Sequence, residues 1–168
     1  MFLQKLTNGL LFIYFLFCSF LAPLLDAQII LPIEFFPKFL VDLHSRYAEE
    51  FNDYLISEKP HFFVGLFWVD ILILWPICIA NLYGIVNKKS WVKQTCLIYG
   101  VSAATGMVAI LSELIRSGRE GSSKVVSIYA PFMVFAIICI LNGLTTSNKS
   151  SSTVNLTARP AMGRKKRA

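Results

Sequence analysis

Two aspartates stand where a membrane-spanning chain tolerates charge least. Asp26 follows the apolar run LLFIYFLFCSFLAPLL, and Asp70 lies inside FWVDILILWP. A carboxylate in hydrocarbon costs several kcal/mol on insertion scales, so each is expected to face a bundle interior and mark a site. At a rise of about 1.5 Å per residue, Asp26 falls roughly 8 Å inside the end of its apolar stretch, Asp70 roughly 12 Å inside the matching end of the next, and Tyr129 roughly 6 Å below the same surface. Three polar groups on three helices would then share one half of the membrane and could line one cavity.

Two carboxylates held together in low dielectric cannot both stay ionised, so the pair is expected to share a proton. The ionised member would attract an ammonium group and the protonated member could donate to an oxygen. Surrounding Phe, Leu, Ile and Trp side chains would hold an apolar body. Two plainer arrangements compete with a ligand site: interhelical hydrogen bonds alone, or an Asp26 that snorkels to the headgroups.

The elements that must position these groups are membrane spans. The 168 residues are 55% hydrophobic and 14% aromatic, with a mean hydropathy of +0.60, values that a soluble domain of this size rarely carries. Four stretches, about 9–31, 62–86, 94–115 and 125–145, reach the ~20 apolar residues that a hydrocarbon core requires of a helix. They are continuous rather than alternating, which selects helices over a barrel. A cleaved signal peptide is the competing explanation of the first, since Lys5 precedes its apolar core. That run exceeds the usual ~7–15 residues, however, and Leu25 and Phe20 occupy the minus-three positions for cleavage at Ala27 and Ala22. Cys18, Cys78, Cys96 and Cys139 all fall in apolar runs without metal-ligand spacing and read as packing residues.

Charge sets the expected orientation. With the amino terminus cytosolic, that side holds Lys5, Lys88, Lys89, Lys93, Lys149, Arg159, Arg164, Lys165, Lys166 and Arg167, ten of the sixteen basic residues. The remaining six lie opposite, and basic residues favour the cytosolic side. None of the ten acids falls on the cytosolic side. Lys165 and Lys166, at minus four and minus three from the end, form a retrieval signal of endoplasmic reticulum membrane proteins that is read on a cytosolic tail. Asn148 and Asn155 begin glycosylation acceptor triplets, which matter only on a lumenal tail. The net charge of +6 and pI near 9.3 arise from short loops and a tail rather than one basic face, so no nucleic-acid partner is expected. No cofactor is implied.

The fold class that follows is an all-α membrane protein, a four-transmembrane-helix bundle with both termini cytosolic. Its parts are residues 1–8 as a cytosolic amino terminus, 9–145 as the four-span domain, and 146–168 as a disordered cytosolic tail. Between the first two spans, PKFLVDLHSRYAEEF spaces Phe36, Leu40, Leu43, Tyr47 and Phe51 three or four apart, which predicts an amphipathic helix on the membrane surface or over the bundle mouth. The polar segment SGREGSSK is expected to be a mobile loop. Pro23, Pro76 and Pro131 should each interrupt a span, and the small residues of GVSAATG should let helices approach closely.

Several stretches together resemble the sigma-2 receptor family of the EXPERA domain class, which also holds the emopamil-binding sterol isomerases. They are DAQIILP (26–32), YAEEFNDYLISEKP (47–60), Asp70 with Trp75-Pro76, Leu97-Ile98-Tyr99, and VSIYAP (126–131). The likeness covers most of residues 10–145 and implies an EXPERA-like bundle with a pocket opening laterally toward the bilayer. It further implies ligands of the sterol, oxysterol and hydrophobic-amine kinds, a homodimer, and a cholesterol-transport membrane protein as partner. By the resemblance, Asp26 is the partner of a ligand amine, Asp53 supports it by hydrogen bonding, and Asp70 sits nearby. Tyr47, Phe51 and Tyr129 match pocket-lining positions, as does Phe132, where the family has a tyrosine. Leu74 replaces a family glutamine and makes the cavity drier.

Sterol isomerases need a general acid, a base and cation-stabilising groups in the pocket. His44 and His61 fall outside the mid-membrane region, which favours a receptor over an enzyme. An isomerase using Asp26 and Asp70, or an escort protein without its own ligand, remain the alternatives.

Overall fold

The computed structural model describes residues 2–119 and 121–150, with side chains described over 4–119 and 121–145. Among the described residues the chain is helical and contains no strand. Helix α1 (Phe2–Leu21), a π-helical turn (Ala22–Asp26) and α2 (Ala27–Ile30) form one rod. A 3-10 turn (Ile33–Phe35), α3 (Lys38–Phe51) and α4 (Tyr54–Glu58) cap that end of the bundle. Helix α5 (His61–Val69) leads through a second π-helical turn (Asp70–Leu74) into α6 (Trp75–Val86). The chain closes with α7 (Val92–Ser117) and α8 (Ser122–Ser150).

Four helical segments are long and apolar enough to cross a membrane: Gln4–Ile30, His61–Val86, Val92–Ser117 and Ser122–Thr145. Only 17–33% of each span's most apolar window is buried inside the protein. Ile13, Phe17, Leu72, Val86 and Ile115 are among the large side chains that point outward, as expected of helices solvated by lipid.

The first span begins earlier than the sequence expectation, at Gln4 rather than about residue 9, whereas the last ends at Thr145 as expected. Helix α1 already begins at Phe2, because the polar pair Thr7-Asn8 is too short to stop a helix that apolar residues continue on its far side. Helix α8 continues past the end of the span to Ser150. Asn155, Lys165 and Lys166 lie outside the described residues.

Helices α7 and α8 form a close hairpin. A Cβ on Gly100 would meet the Ala136 carbonyl oxygen at 2.7 Å and the Ile140 nitrogen at 2.8 Å, so glycine permits the approach there. Helix α1 packs on α6. The buried residues fall into two clusters, one built on Leu11, Phe15, Cys96 and Cys139, the other on Ile29, Leu55, Phe63 and Leu114.

The polar segment that joins α7 to α8 begins on the last residue of α7 and ends on the first residues of α8. Gly118 ends α7 in the left-handed region at φ 62°, and Gly121 at φ 91° approaches the Phe51 carbonyl oxygen so closely that a Cβ would meet it at 2.8 Å. Arg119 pairs with Glu58 and lies 4.1 Å over the Tyr54 ring, whose hydroxyl donates to Glu113 at 3.1 Å. These links tie α4 to the α7–α8 turn, although exposed ion pairs contribute little stability.

Candidate functional site

The two intramembrane carboxylates sit at the two π-helical turns, Asp26 as the last residue of one and Asp70 as the first of the other. Proline explains both distortions. Pro23 and Pro76 lack a backbone N–H and push against the carbonyl four residues back, and a wider turn relieves the clash. For Pro23 that carbonyl belongs to Ser19, and the Trp75 indole Nε1 donates to it at 3.0 Å from the other helix. One helix thus satisfies the acceptor that proline orphaned in its neighbour. The third proline behaves differently: Pro131 lies within a continuous α8.

The two π-helical turns pack against each other, which brings their carboxylates to the same region of the bundle. Both face a cavity of about 130 Å³ between the two buried clusters. Its wall is mostly apolar, with Leu74, Trp75, Met107, Ile110 and Phe132 among the lining residues. The polar members besides the aspartates are Tyr14, Tyr99, Tyr129 and Ser102, with the Cys18 and Cys78 thiols. Tyr14 and Tyr99 share a hydrogen bond at 3.0 Å. Val69 lines the cavity and is also 38% exposed.

Asp26, Asp70, Tyr129 and Phe132 therefore meet in one chamber, while Asp53, Tyr47 and Phe51 lie outside its wall. Asp53 is fully buried and caps α4, accepting from the Leu55 N–H at 3.1 Å. Its second carboxylate oxygen accepts a long hydrogen bond, 3.4 Å, from the Tyr129 hydroxyl. Asp53 thus reaches the cavity through Tyr129 rather than through a described bond to Asp26. Burial raises the Asp53 carboxyl above its ordinary value. Tyr47 is pushed up to about 12 by burial and by the neighbouring Asp53 charge, and its ring tilts against Phe51 at 5.0 Å.

Tyr14, Tyr99, Trp75, Cys18 and Cys78 were not anticipated as site residues. Polar atoms inside apolar runs signalled the two tyrosines, but nothing local showed that they would meet. The cysteines divide by position: Cys96 and Cys139 are core alone, whereas Cys18 and Cys78 belong both to the core and to the cavity wall. No group of three or more His, Cys, Asp or Glu suited to a metal occurs among the described residues.

The fold and site define a four-span helical membrane protein with an acidic chamber between its helices. Residues 39–143 match the family model described as EXPERA (EXPanded EBP superfamily), and the chain belongs to that family. It is similar to Sigma intracellular receptor 2 of Homo sapiens and of Macaca fascicularis, 27% identical over 153 residues, covering 82% of this chain and 87% of each relative. The protein of the same name from Xenopus tropicalis is 24% identical over 152 residues, covering 83% of this chain and 89% of that one.

Proposed function

We propose that this chain is an intracellular membrane receptor of the sigma-2 kind, binding sterols, oxysterols and hydrophobic amines and acting in sterol homeostasis and trafficking. The observation that carries the proposal is the pair of carboxylates, Asp26 and Asp70, brought by two proline-linked π-turns to one mostly apolar chamber. An ionised carboxylate there attracts a ligand ammonium group with little competition from water, and a protonated one donates to a sterol hydroxyl. The cavity volume of about 130 Å³ is below the ~300 Å³ typical of drug-sized sites. A sterol would therefore displace lining side chains such as Val69 and leave part of its body among the lipids. The names of the similar proteins support the receptor role.

The test is binding of a radiolabelled hydrophobic amine to the protein in detergent. Asp26→Asn is expected to weaken binding at least ~10-fold, the loss of a charge-assisted contact, with helicity by circular dichroism unchanged. Undiminished binding in that folded variant would remove Asp26 from the site.

Residence in the endoplasmic reticulum membrane, with both termini cytosolic, belongs to the same proposal and is supported by the charge distribution and by Lys165 and Lys166. A homodimer and a cholesterol-transport membrane protein as partner are further parts of it, carried by the resemblance. Sterol double-bond isomerisation is the second reading, supported by the family's breadth and by two carboxylates near the Tyr14–Tyr99 pair. Expression in cells lacking the sterol isomerase decides it, since an unchanged sterol profile ends the enzymatic reading.

A further inference from the structure

A second cavity, of about 250 Å³, lies beside the end of the first span, under α3. Its polar wall comprises Gln28, His44, Ser45, Glu49, Ser57 and Lys59. Lys59 ends α4 in the left-handed region, at φ 47°, which turns its side chain back over the first span. There its Nζ donates to the Gln28 carbonyl oxygen at 3.1 Å, engaging one of three ammonium donors. Ser57 donates to the Asp53 carbonyl oxygen at 3.1 Å, leaving its hydroxyl oxygen as an acceptor. Burial, and then the Lys59 charge, hold His44 below the usual imidazole value; Lys59 is the basic side chain of this wall and Glu49 the acidic one.

The surroundings give the depth of this pocket. The segment follows a membrane span directly, and its large apolar residues point outward: Leu31, Ile33, Phe35 at 76% exposure, Phe39 at 68%, and Leu43. Aromatic and aliphatic side chains so placed enter the interfacial layer of a bilayer. Ile33 is both exposed and part of the pocket wall, so the cavity opens where headgroups lie.

We propose that this pocket holds the headgroup of a phospholipid carrying a primary ammonium, a phosphatidylethanolamine, with Lys59 donating to the phosphate and Glu49 accepting from the ammonium. A headgroup of one sign would leave either Lys59 or Glu49 facing it without a complement. The volume is too small for a whole lipid but admits a headgroup, while the acyl chains lie along Phe35 and Phe39. The pocket is separate from the apolar chamber, so the two sites stand or fall independently.

The test is native mass spectrometry of the full-length protein in mild detergent, offered equimolar dioleoyl phosphatidylethanolamine, phosphatidylcholine and phosphatidylglycerol. The ethanolamine lipid is expected to be retained preferentially, and Lys59→Gln and Glu49→Gln should each lower its retention about tenfold, the effect of one charge-assisted hydrogen bond. Helicity by circular dichroism and thermal unfolding in detergent should stay unchanged in both, which reports that they fold. Because Lys59 also bonds Gln28, the exposed Glu49 carries the test if Lys59→Gln fails to fold. Equal retention of the three lipids, preference for phosphatidylglycerol, or undiminished ethanolamine-lipid retention in the folded variants overturns the assignment.

Discussion

Asp53 shows how a single buried carboxylate shapes this end of the molecule. It caps α4, accepts from Tyr129 and lies near Tyr47, so it holds the lumen-side segment of the proposed topology against the chamber. Because burial raises its folded value, the folded protein takes up the Asp53 proton more readily than the unfolded chain does. Stability should accordingly rise as pH falls through that raised value toward the ordinary carboxylate value of 3.8, and decline as pH rises through the same window. Asp53→Asn keeps the cap geometry and should lack this component. Thermal unfolding in detergent across the acid range checks it, and identical pH slopes in the two proteins would refute it.

At the scale of elements, the two π-helical turns are the chamber's construction. Pro23 and Pro76 are visible in the sequence, but the compensation of Pro23 is not: it comes from Trp75, fifty-six positions from Ser19 in sequence. Replacing Trp75 by Phe keeps the ring and removes the donor, which leaves the Ser19 carbonyl oxygen without its partner in a water-poor place. A buried acceptor so orphaned costs roughly 1–3 kcal/mol. Hydrophobic-amine affinity is expected to drop about tenfold as the Asp26 turn loosens against the Asp70 turn, with helix content retained. Radioligand binding alongside circular dichroism tests this, and wild-type affinity in Trp75→Phe would show that the indole does not set the register of the two turns.

At the scale of the whole molecule, the proposed orientation and residence in the endoplasmic reticulum rest on charges outside the bundle rather than on its packing. With both termini cytosolic, the double variant Lys165→Ser/Lys166→Ser should leave the endoplasmic reticulum for later membranes, as fluorescence microscopy with compartment markers would show. Unchanged localisation would dismiss the retrieval signal. The same proposed orientation leaves the glycosylation triplet at Asn148 cytosolic, so mass spectrometry should find that residue without glycan, and a glycan there would overturn the orientation.

The sequence by itself determined the helical class, the four spans and the anomaly of two acids within them. Continuous apolar runs in a water-free solvent permit little else, and a carboxylate among them stands out without any coordinates. The expected meeting of Asp26, Asp70 and Tyr129 was legible as a comparison of depths, because rise per residue converts position into height. Rotation about each helix axis was not legible, since a single π-turn shifts every later side chain around the helix. Tertiary structure alone decided that Tyr14 would meet Tyr99, that Trp75 would satisfy Ser19, and that Cys18 and Cys78 would share in the chamber wall while Cys96 and Cys139 would not. It also placed Asp53 behind Tyr129 and set Arg119 against Glu58 and the Tyr54 ring. Each of these depends on contacts between residues far apart in the chain, which local pattern does not encode.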